Sequence, residues 1–103
     1  MPVHEIEELK ARFVEALSPM QVYLFGSFAD GTETEDSDLD FYIVVDDKDE
    51  NLFDLTVQAY RAICKVKQRP VDILVGTKAG FEARKDTPSV EREVYRKGVL
   101  LYG

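Results

Sequence analysis

LFGSFADGTETEDSDLDFYIVV, the segment from Leu24 to Val45, decides how this chain of 103 residues folds. It places a Gly-Ser turn and two aspartates between two short apolar runs. Asp38 and Asp40 lie two residues apart at the start of the second run, and such side chains share one face of a strand, roughly 6–7 Å apart. Carboxylates this close raise each other's pKa unless a cation lies between them. The segment therefore predicts a site for a divalent cation such as Mg²⁺, which takes oxygen ligands.

The first half of the segment indicates a phosphate site. Gly26 has no Cβ and follows the apolar run Val22 to Phe25, and Ser27 is a good N-cap residue for a helix. Backbone amides at such a turn, with a serine hydroxyl beside them, can hold phosphate oxygens. A polar loop then leads back to the second strand, where Ser37 precedes the first acid. We expect these groups to converge at one end of a sheet.

The motif G-S-x-A-x-G followed by S-D-x-D before a strand resembles the nucleotidyltransferase superfamily that includes DNA polymerase beta, and within it the minimal nucleotidyltransferases. The likeness covers nearly the whole chain, because a third acid, Asp72, lies in the later apolar run VDILV and the chain ends in EREVYRKGVLLYG. It implies an α+β fold of the nucleotidyltransferase type, with a small mixed β-sheet of three to four strands covered by helices. We expect a single domain over residues 1–103.

The resemblance implies metal-assisted transfer of a nucleotidyl group, AMP from ATP or a nucleotide from another nucleoside triphosphate, to a hydroxyl. The catalytic and metal-binding residues would be Asp38, Asp40 and Asp72, with Mg²⁺ or Mn²⁺ as the cofactor. Gly26, Ser27 and Ser37 would bind the nucleotide. Minimal members are often encoded with a HEPN-type helical protein, and some act as antitoxins that transfer AMP to a tyrosine of that partner. A partner of this kind is therefore expected.

Two positions depart from the pattern of many relatives, which carry arginines after the Gly-Ser pair. Here Phe28 and Asp30 occupy those places, so an acid stands where a cation often neutralises triphosphate. The departure favours an alternative function, a binding module that keeps the fold and neutralises a partner protein by contact. The intact acids Asp38, Asp40 and Asp72 favour the enzyme.

Charge is distributed unevenly along the chain, whose net charge is −7. From Asp30 to Asp54 there are eleven acids and one lysine, a local charge of −10. Such a field repels a nucleic-acid backbone, so a long nucleic acid is not an expected partner. No apolar run is long enough to span a membrane and no signal peptide is evident, which predicts a cytoplasmic protein. Cys64 is expected to be a small buried hydrophobe, and one Cys with one His makes no zinc site.

Apolar periodicity predicts the secondary structure around this segment. The expected elements are a helix over 4–17 that ends at Ser18-Pro19, strands over 20–25 and 39–45, a charged turn over 46–51, a helix over 52–67, a strand over 71–75 broken by Gly76, a short helix over 78–85, a helix from Thr87-Pro88-Ser89 to Lys97 stopped by Gly98, and a strand or packed tail over 99–102.

Two features leave alternatives open. Asp72 is the only charged residue of its strand, and besides the metal site it has two explanations: an edge strand whose aspartate faces water, or an ion pair with Lys65, Lys67 or Arg69. The helix over 52–67 has two apolar registers and hence an unusually wide apolar face. The part that does not pack on the sheet could contact another chain, including a second copy in a homo-oligomer.

Overall fold

A computed structural model describes residues 2–34, 36–48 and 51–103 of the chain. Its elements in chain order are α1 Val3–Leu17, β1 Gln21–Phe25, α2 Ser27–Asp30, β2 Leu39–Val45, α3 Leu52–Ile63, β3 Val71–Thr77, α4 Lys78–Arg84, α5 Val90–Lys97 and β4 Val99–Tyr102. The strands form one sheet in the order β3-β2-β1-β4. β1 is antiparallel to both β2 and β4, while β2 and β3 are parallel. The α+β fold with a small mixed sheet covered by helices is confirmed.

Helices α1 and α3 cover one face of the sheet. The predicted apolar stripe of α1 is buried there, as its spacing requires: Ile6, Leu9, Phe13 and Leu17. The ring of Phe13 meets the ring of Phe41 from β2 edge to face, with 5.1 Å between centroids. Every residue of β2 except Asp40 is buried, which agrees with a strand covered on both faces.

Helices α4 and α5 cover the opposite face, which carries the site. Alternate residues of β2 point to this face, namely Asp40, Tyr42 and Val44. The ring of Phe81 from α4 lies 5.4 Å from that of Tyr42, and Val94 from α5 is fully buried beside them. The two helices thus cover the middle of the sheet and leave the strand ends open.

Helix α3 is shorter than predicted, and the expected burial of Cys64 is wrong. The helix ends at Ile63, so Cys64 is the C-cap residue and is exposed, its thiol donating to the carbonyl of Arg61. Only one of the two apolar registers packs on the sheet, the one that includes Ala59 and Ile63. The other faces outward: Phe53 is 80% exposed, and the Tyr60 hydroxyl accepts a hydrogen bond from the amide of Ile73 on β3.

Other boundaries differ for identifiable reasons. Gly76 does not break β3, which continues to Thr77; a Cβ at Gly76 would collide with the Tyr42 hydroxyl, so glycine serves close packing there. Helix α5 starts after Pro88, with Ser89 as the N-cap that accepts from the amide of Arg92. Residues 99–102 form a strand rather than a tail. The predicted charged turn over 46–51 lies partly outside the described residues.

The described helices include none that is long and apolar enough to cross a membrane.

Candidate active site

Three strands bring their ends to one edge of the sheet. β1 runs towards this edge, whereas β2 and β3 start from it, so the residues after β1 meet the first residues of the other two. In the register of the sheet Phe25 lies opposite Asp40, and Asp40 lies opposite Asp72. The sheet therefore places the Gly-Ser turn beside Asp40, and Asp40 beside Asp72.

The carboxylate of Asp40 lies directly over Gly26. A Cβ at Gly26 would collide with Oδ2 of Asp40, and the backbone φ of +78° is one that residues with side chains rarely adopt. The positive φ favours glycine, and a larger residue would also displace the Asp40 carboxylate. The turn and the acid are thus parts of one arrangement, in which the chain leaves β1 immediately beneath an aspartate of β2.

The environment of Asp40 disfavours its negative charge. Burial raises the pKa of this carboxyl from 3.8 to about 6, with smaller contributions from the charge of Asp72, the charge of Asp38 and a hydrogen bond with Asp72. The sheet register pairs Asp40 with Asp72, and Asp38 precedes Asp40 by two residues. A cation beside them would relieve this unfavourable interaction.

Asp72 lies at the exposed start of β3, which is an edge strand. Its side chain is exposed to solvent, which agrees with the alternative of an edge strand whose aspartate faces water. It forms no ion pair with Lys65, Lys67 or Arg69 within the described residues. Arg69 instead pairs with Glu5 of α1, Nε to Oε1 at 3.0 Å. In the sheet the residue paired with Asp72 is Asp40.

The Gly-Ser turn differs from the prediction in one detail, because the N-cap is Gly26 and Ser27 is the first residue of α2. The amides of Ala29 and Asp30 donate to the carbonyl of Gly26. The amides of Ser27 and Phe28 precede these bonds and have no partner within the helix. Their predicted role in holding phosphate oxygens stays a prediction.

Ser37 makes its contacts within the loop that leads to β2. Its hydroxyl accepts from the amide of Thr34 at 2.8 Å, and its own amide donates to the carbonyl of Thr34 at 3.1 Å. These bonds join Ser37 to Thr34 immediately before Asp38. In this conformation Ser37 shapes the loop, and its predicted contact with a nucleotide stays a prediction.

The two departures after the Gly-Ser pair have different surroundings. Phe28 is buried on the α1 and α3 face, with the guanidinium of Arg69 5.2 Å from the centre of its ring. Asp30 is exposed and is held by Thr32, whose amide and hydroxyl both donate to Oδ1. These two bonds are the main reason why the pKa of Asp30 is lowered.

Asp30 also lines a cavity of about 260 Å³ that begins at Gly26 and extends beneath α5. Lys97 of α5 lines the same cavity and places a positive charge opposite the acid. Sequence reasoning missed Lys97, because only the fold brings the last helix to the first turn.

The acids at this edge do not form a complete set of metal ligands. Among the described residues no group of three or more His, Cys, Asp or Glu side chains is placed to hold a metal ion. Mg²⁺ does not need one, since it commonly binds through one or two carboxylates together with waters and substrate phosphates. Asp40 and Asp72, with Asp38 beside them, provide such a platform at an open edge of the sheet.

Comparison with known proteins supports the fold and the family. The nucleotidyltransferase domain family matches residues 6–101. The structure is similar to that of a protein assigned as a nucleotidyltransferase from Sulfolobus solfataricus, with 25% identity and a TM-score of 0.66 over 95% of this chain and 77% of that one. No curated protein matches the chain.

Two toxin–antitoxin structures share the fold. One was determined with AMP-PNP and has 22% identity and a TM-score of 0.58 over 94% of this chain and 73% of that one. The other is a variant of the toxin–antitoxin MntA-HpeT, with 21% identity and a TM-score of 0.56 over 100% of this chain and 74% of that one. The match over residues 6–101, together with the mixed sheet that brings the Gly-Ser turn to an aspartate pair, shows that the chain belongs to the nucleotidyltransferase domain family, as a minimal member.

Proposed function

We propose that the protein transfers AMP from ATP to a hydroxyl of a partner protein and thereby acts as the antitoxin of a toxin–antitoxin pair. The observation that carries the proposal is the convergence of Gly26, Asp40 and Asp72 at one edge of the sheet. The shared fold of the two toxin–antitoxin structures supports a partner protein. A HEPN-type helical protein with an acceptor tyrosine is the partner that the family resemblance favours.

The residues of the chain have distinct tasks in this reaction. The free amides after Gly26 and the hydroxyl of Ser27 hold phosphate oxygens of ATP. When a divalent ion, Mg²⁺ or Mn²⁺, is bound by Asp38, Asp40 and Asp72, it supplies charge neutralisation at the phosphates and acidifies the acceptor hydroxyl. The position of Asp72 at the open edge suits contact with an incoming acceptor.

The proposed reaction forms one bond, breaks one bond and transfers one proton. The acceptor oxygen forms a bond to the α-phosphorus while the bond from that phosphorus to the bridging oxygen breaks, and pyrophosphate leaves. The proton of the acceptor passes to the carboxylate of Asp72 and then to water. Catalysis in this scheme rests on positioning and on charge stabilisation of the phosphates.

The experiment combines the protein, ATP, Mg²⁺ and the product of the neighbouring gene, followed by intact mass spectrometry. We expect the partner to gain the mass of one AMP, and Asp40→Asn to abolish the gain. Glu15→Gln, on the opposite face of the sheet, is the control. Equal labelling by Asp40→Asn and the wild type would remove the aspartates from the mechanism.

A second function is favoured by one observation, the position of Asp30 on the cavity next to Gly26. There its charge opposes triphosphate binding. In this alternative the domain neutralises its partner by contact. A stable complex with the partner, formed without any nucleotide mass and unaffected by Asp40→Asn, would establish it.

A further inference from the structure

A cavity of about 250 Å³ lies on the site face of the sheet, beyond the carboxylates. Leu74 and Gly76 of β3 line its floor, Tyr42 of β2 lines one side, and Arg84 of α4 and Glu91 of α5 stand at one end. We call it the β3 cavity. The function proposed above uses none of these residues.

The β3 cavity continues the site along the strands. Asp40 and Asp72 are paired in the sheet, and the next pair on the same face is Tyr42 and Leu74. Two residues of strand separate the pairs by roughly 6–7 Å. In a nucleotide the ribose separates the base from the α-phosphorus. A nucleotide whose phosphates lie at the aspartates therefore has its base next to Leu74 if its sugar follows β3.

The floor of the cavity includes an exposed apolar side chain. Leu74 is 43% exposed although it lies inside a strand. The Tyr42 hydroxyl lies over Gly76 and takes the space that a Cβ there would need, so the open part of the floor is Leu74. An apolar ring of a ligand can pack against this side chain.

The polar end of the cavity offers an acceptor and a donor. The Tyr42 hydroxyl donates to Oε2 of Glu91 at 2.8 Å. Oε1 of Glu91 has no hydrogen bond within the described parts of the chain. The guanidinium of Arg84 forms no ion pair there either. A carboxylate only accepts and a guanidinium only donates.

We infer that the β3 cavity binds the base of the donor nucleotide and selects a purine that carries an exocyclic amino group. The ring lies on Leu74, the amino group donates to Oε1 of Glu91, and Arg84 donates to a ring acceptor. This inference rests on the proposed function, because it places the phosphates at the aspartates. It adds the base specificity that the sequence motifs leave open.

The first test separates the base from the phosphates. Binding of ATP and of inorganic triphosphate, each with Mn²⁺, is measured by calorimetry for Leu74→Glu and for the control Leu100→Glu. Leu100 is a similarly exposed leucine on the other edge strand, at 47%. We expect Leu74→Glu to raise the Kd of ATP about tenfold more than the Kd of triphosphate, whose binding only the added charge weakens. Leu100→Glu should leave both unchanged.

The second test addresses the amino group. The wild type should bind ATP about tenfold more tightly than inosine triphosphate, which has an oxygen in place of the amino group. Glu91→Gln keeps an oxygen for Tyr42 and turns the other atom into a donor. It should therefore weaken the binding of ATP and strengthen the binding of inosine triphosphate. An unchanged preference in Glu91→Gln would overturn the role of Glu91 and with it the selection of an amino group.

The remaining outcomes are also decisive. If triphosphate binds the wild type as tightly as ATP, the base makes no contact, and the inference fails while the proposed function stands. If Leu74→Glu retains ATP binding but loses transfer to the partner, the cavity holds the acceptor and the inference is again wrong. If neither ATP nor triphosphate binds, the proposed function fails together with the inference.

Discussion

At the scale of single residues, the site depends on what two glycines permit. Gly26 and Gly76 each lack a Cβ where a side chain of β2 would otherwise be blocked, Asp40 in one case and Tyr42 in the other. Both side chains lie on the same face of β2. The two glycines thus let the Asp40 carboxylate lie against the turn after β1 and the Tyr42 hydroxyl lie against β3. The acid gains a position beside the turn, and it loses hydration there.

The raised pKa of Asp40 predicts a stability difference that depends on pH. The pKa is about 6 in the folded protein against an ordinary value of 3.8, so the folded state holds the proton more tightly. Without metal, the wild type therefore loses stability as pH rises from about 4 to about 6 and no further above that. Asp40→Asn has no carboxyl at this position and should not lose stability in this way. We expect it to be more stable at pH 7 by about 1 kcal/mol, after allowance for solvent screening of a half-exposed group.

Thermal melts in chelator from pH 4 to pH 8 measure this difference. A gain of about 1 kcal/mol corresponds to several degrees for a domain of this size. Asp86→Asn, an exposed carboxyl in the turn after α4, serves as the control and should follow the wild type. A melting temperature of Asp40→Asn that stays below that of the wild type at pH 7 would mean that Asp40 is stabilised by a partner rather than strained.

At the scale of elements, the entry to β3 is held from the face opposite the site. Glu5 of α1 is buried and accepts from the Arg69 guanidinium and from the amide of Gln68, at 3.0 and 3.2 Å. The same guanidinium lies over the ring of Phe28 in α2. One ion pair therefore links α1, α2 and the start of β3. It helps to position Asp72, three residues after Arg69.

This link predicts unequal effects for two glutamates of the same helix. Glu5→Ala leaves a partly buried guanidinium and an amide without their partner, and we expect a loss of about 2 kcal/mol in the free energy of unfolding. Glu8→Ala removes only an exposed pair with Arg12 at 4.0 Å and should change it by less than about 0.5 kcal/mol. Urea unfolding measures both. Equal losses would show that the buried pair is replaced by water at no cost.

Elements with strong periodicity were predictable, and those defined by tertiary contacts were not. The stripe of α1 and the continuous apolar run of β2 identify themselves, because burial on one or both faces imposes the pattern. Gly76 was misread as a break, since its reason is the Tyr42 hydroxyl on another strand. Cys64 was misread as buried because two apolar registers of α3 overlap and only one meets the sheet.

At the scale of the whole molecule, the sequence predicts the part of the acidic site whose residues lie close together along the chain. The S-D-x-D spacing places Asp38 immediately before β2 and Asp40 as its second residue, whereas Asp72 pairs with Asp40 across the sheet, a contact that the family resemblance supplied. Lys97, Arg84 and Glu91 come from the last two helices and carry no local signal. The sheet pairs Asp40 with Asp72 at the edge that Asp38 adjoins, and their negative charges attract cations.

These negative charges predict how metal and nucleotide change the stability of the whole protein. Without metal, Asp72→Asn should be as stable as the wild type or more so, because it removes a charge that acts unfavourably on Asp40. With Mn²⁺ and ATP the order should reverse. A ligand that binds only the folded state adds about 2.7 kcal/mol at a hundredfold excess over Kd, and the wild type should gain more of this than the variant.

Paired thermal melts, one in chelator and one in millimolar Mn²⁺ with ATP, give the two orders, and Asp86→Asn again controls for net charge. If Asp72→Asn loses several degrees in chelator yet responds to Mn²⁺ and ATP as fully as the wild type, Asp72 supports the fold through a protein partner. The metal site would then consist of Asp38 and Asp40 alone, and the acceptor would have to pass its proton directly to water.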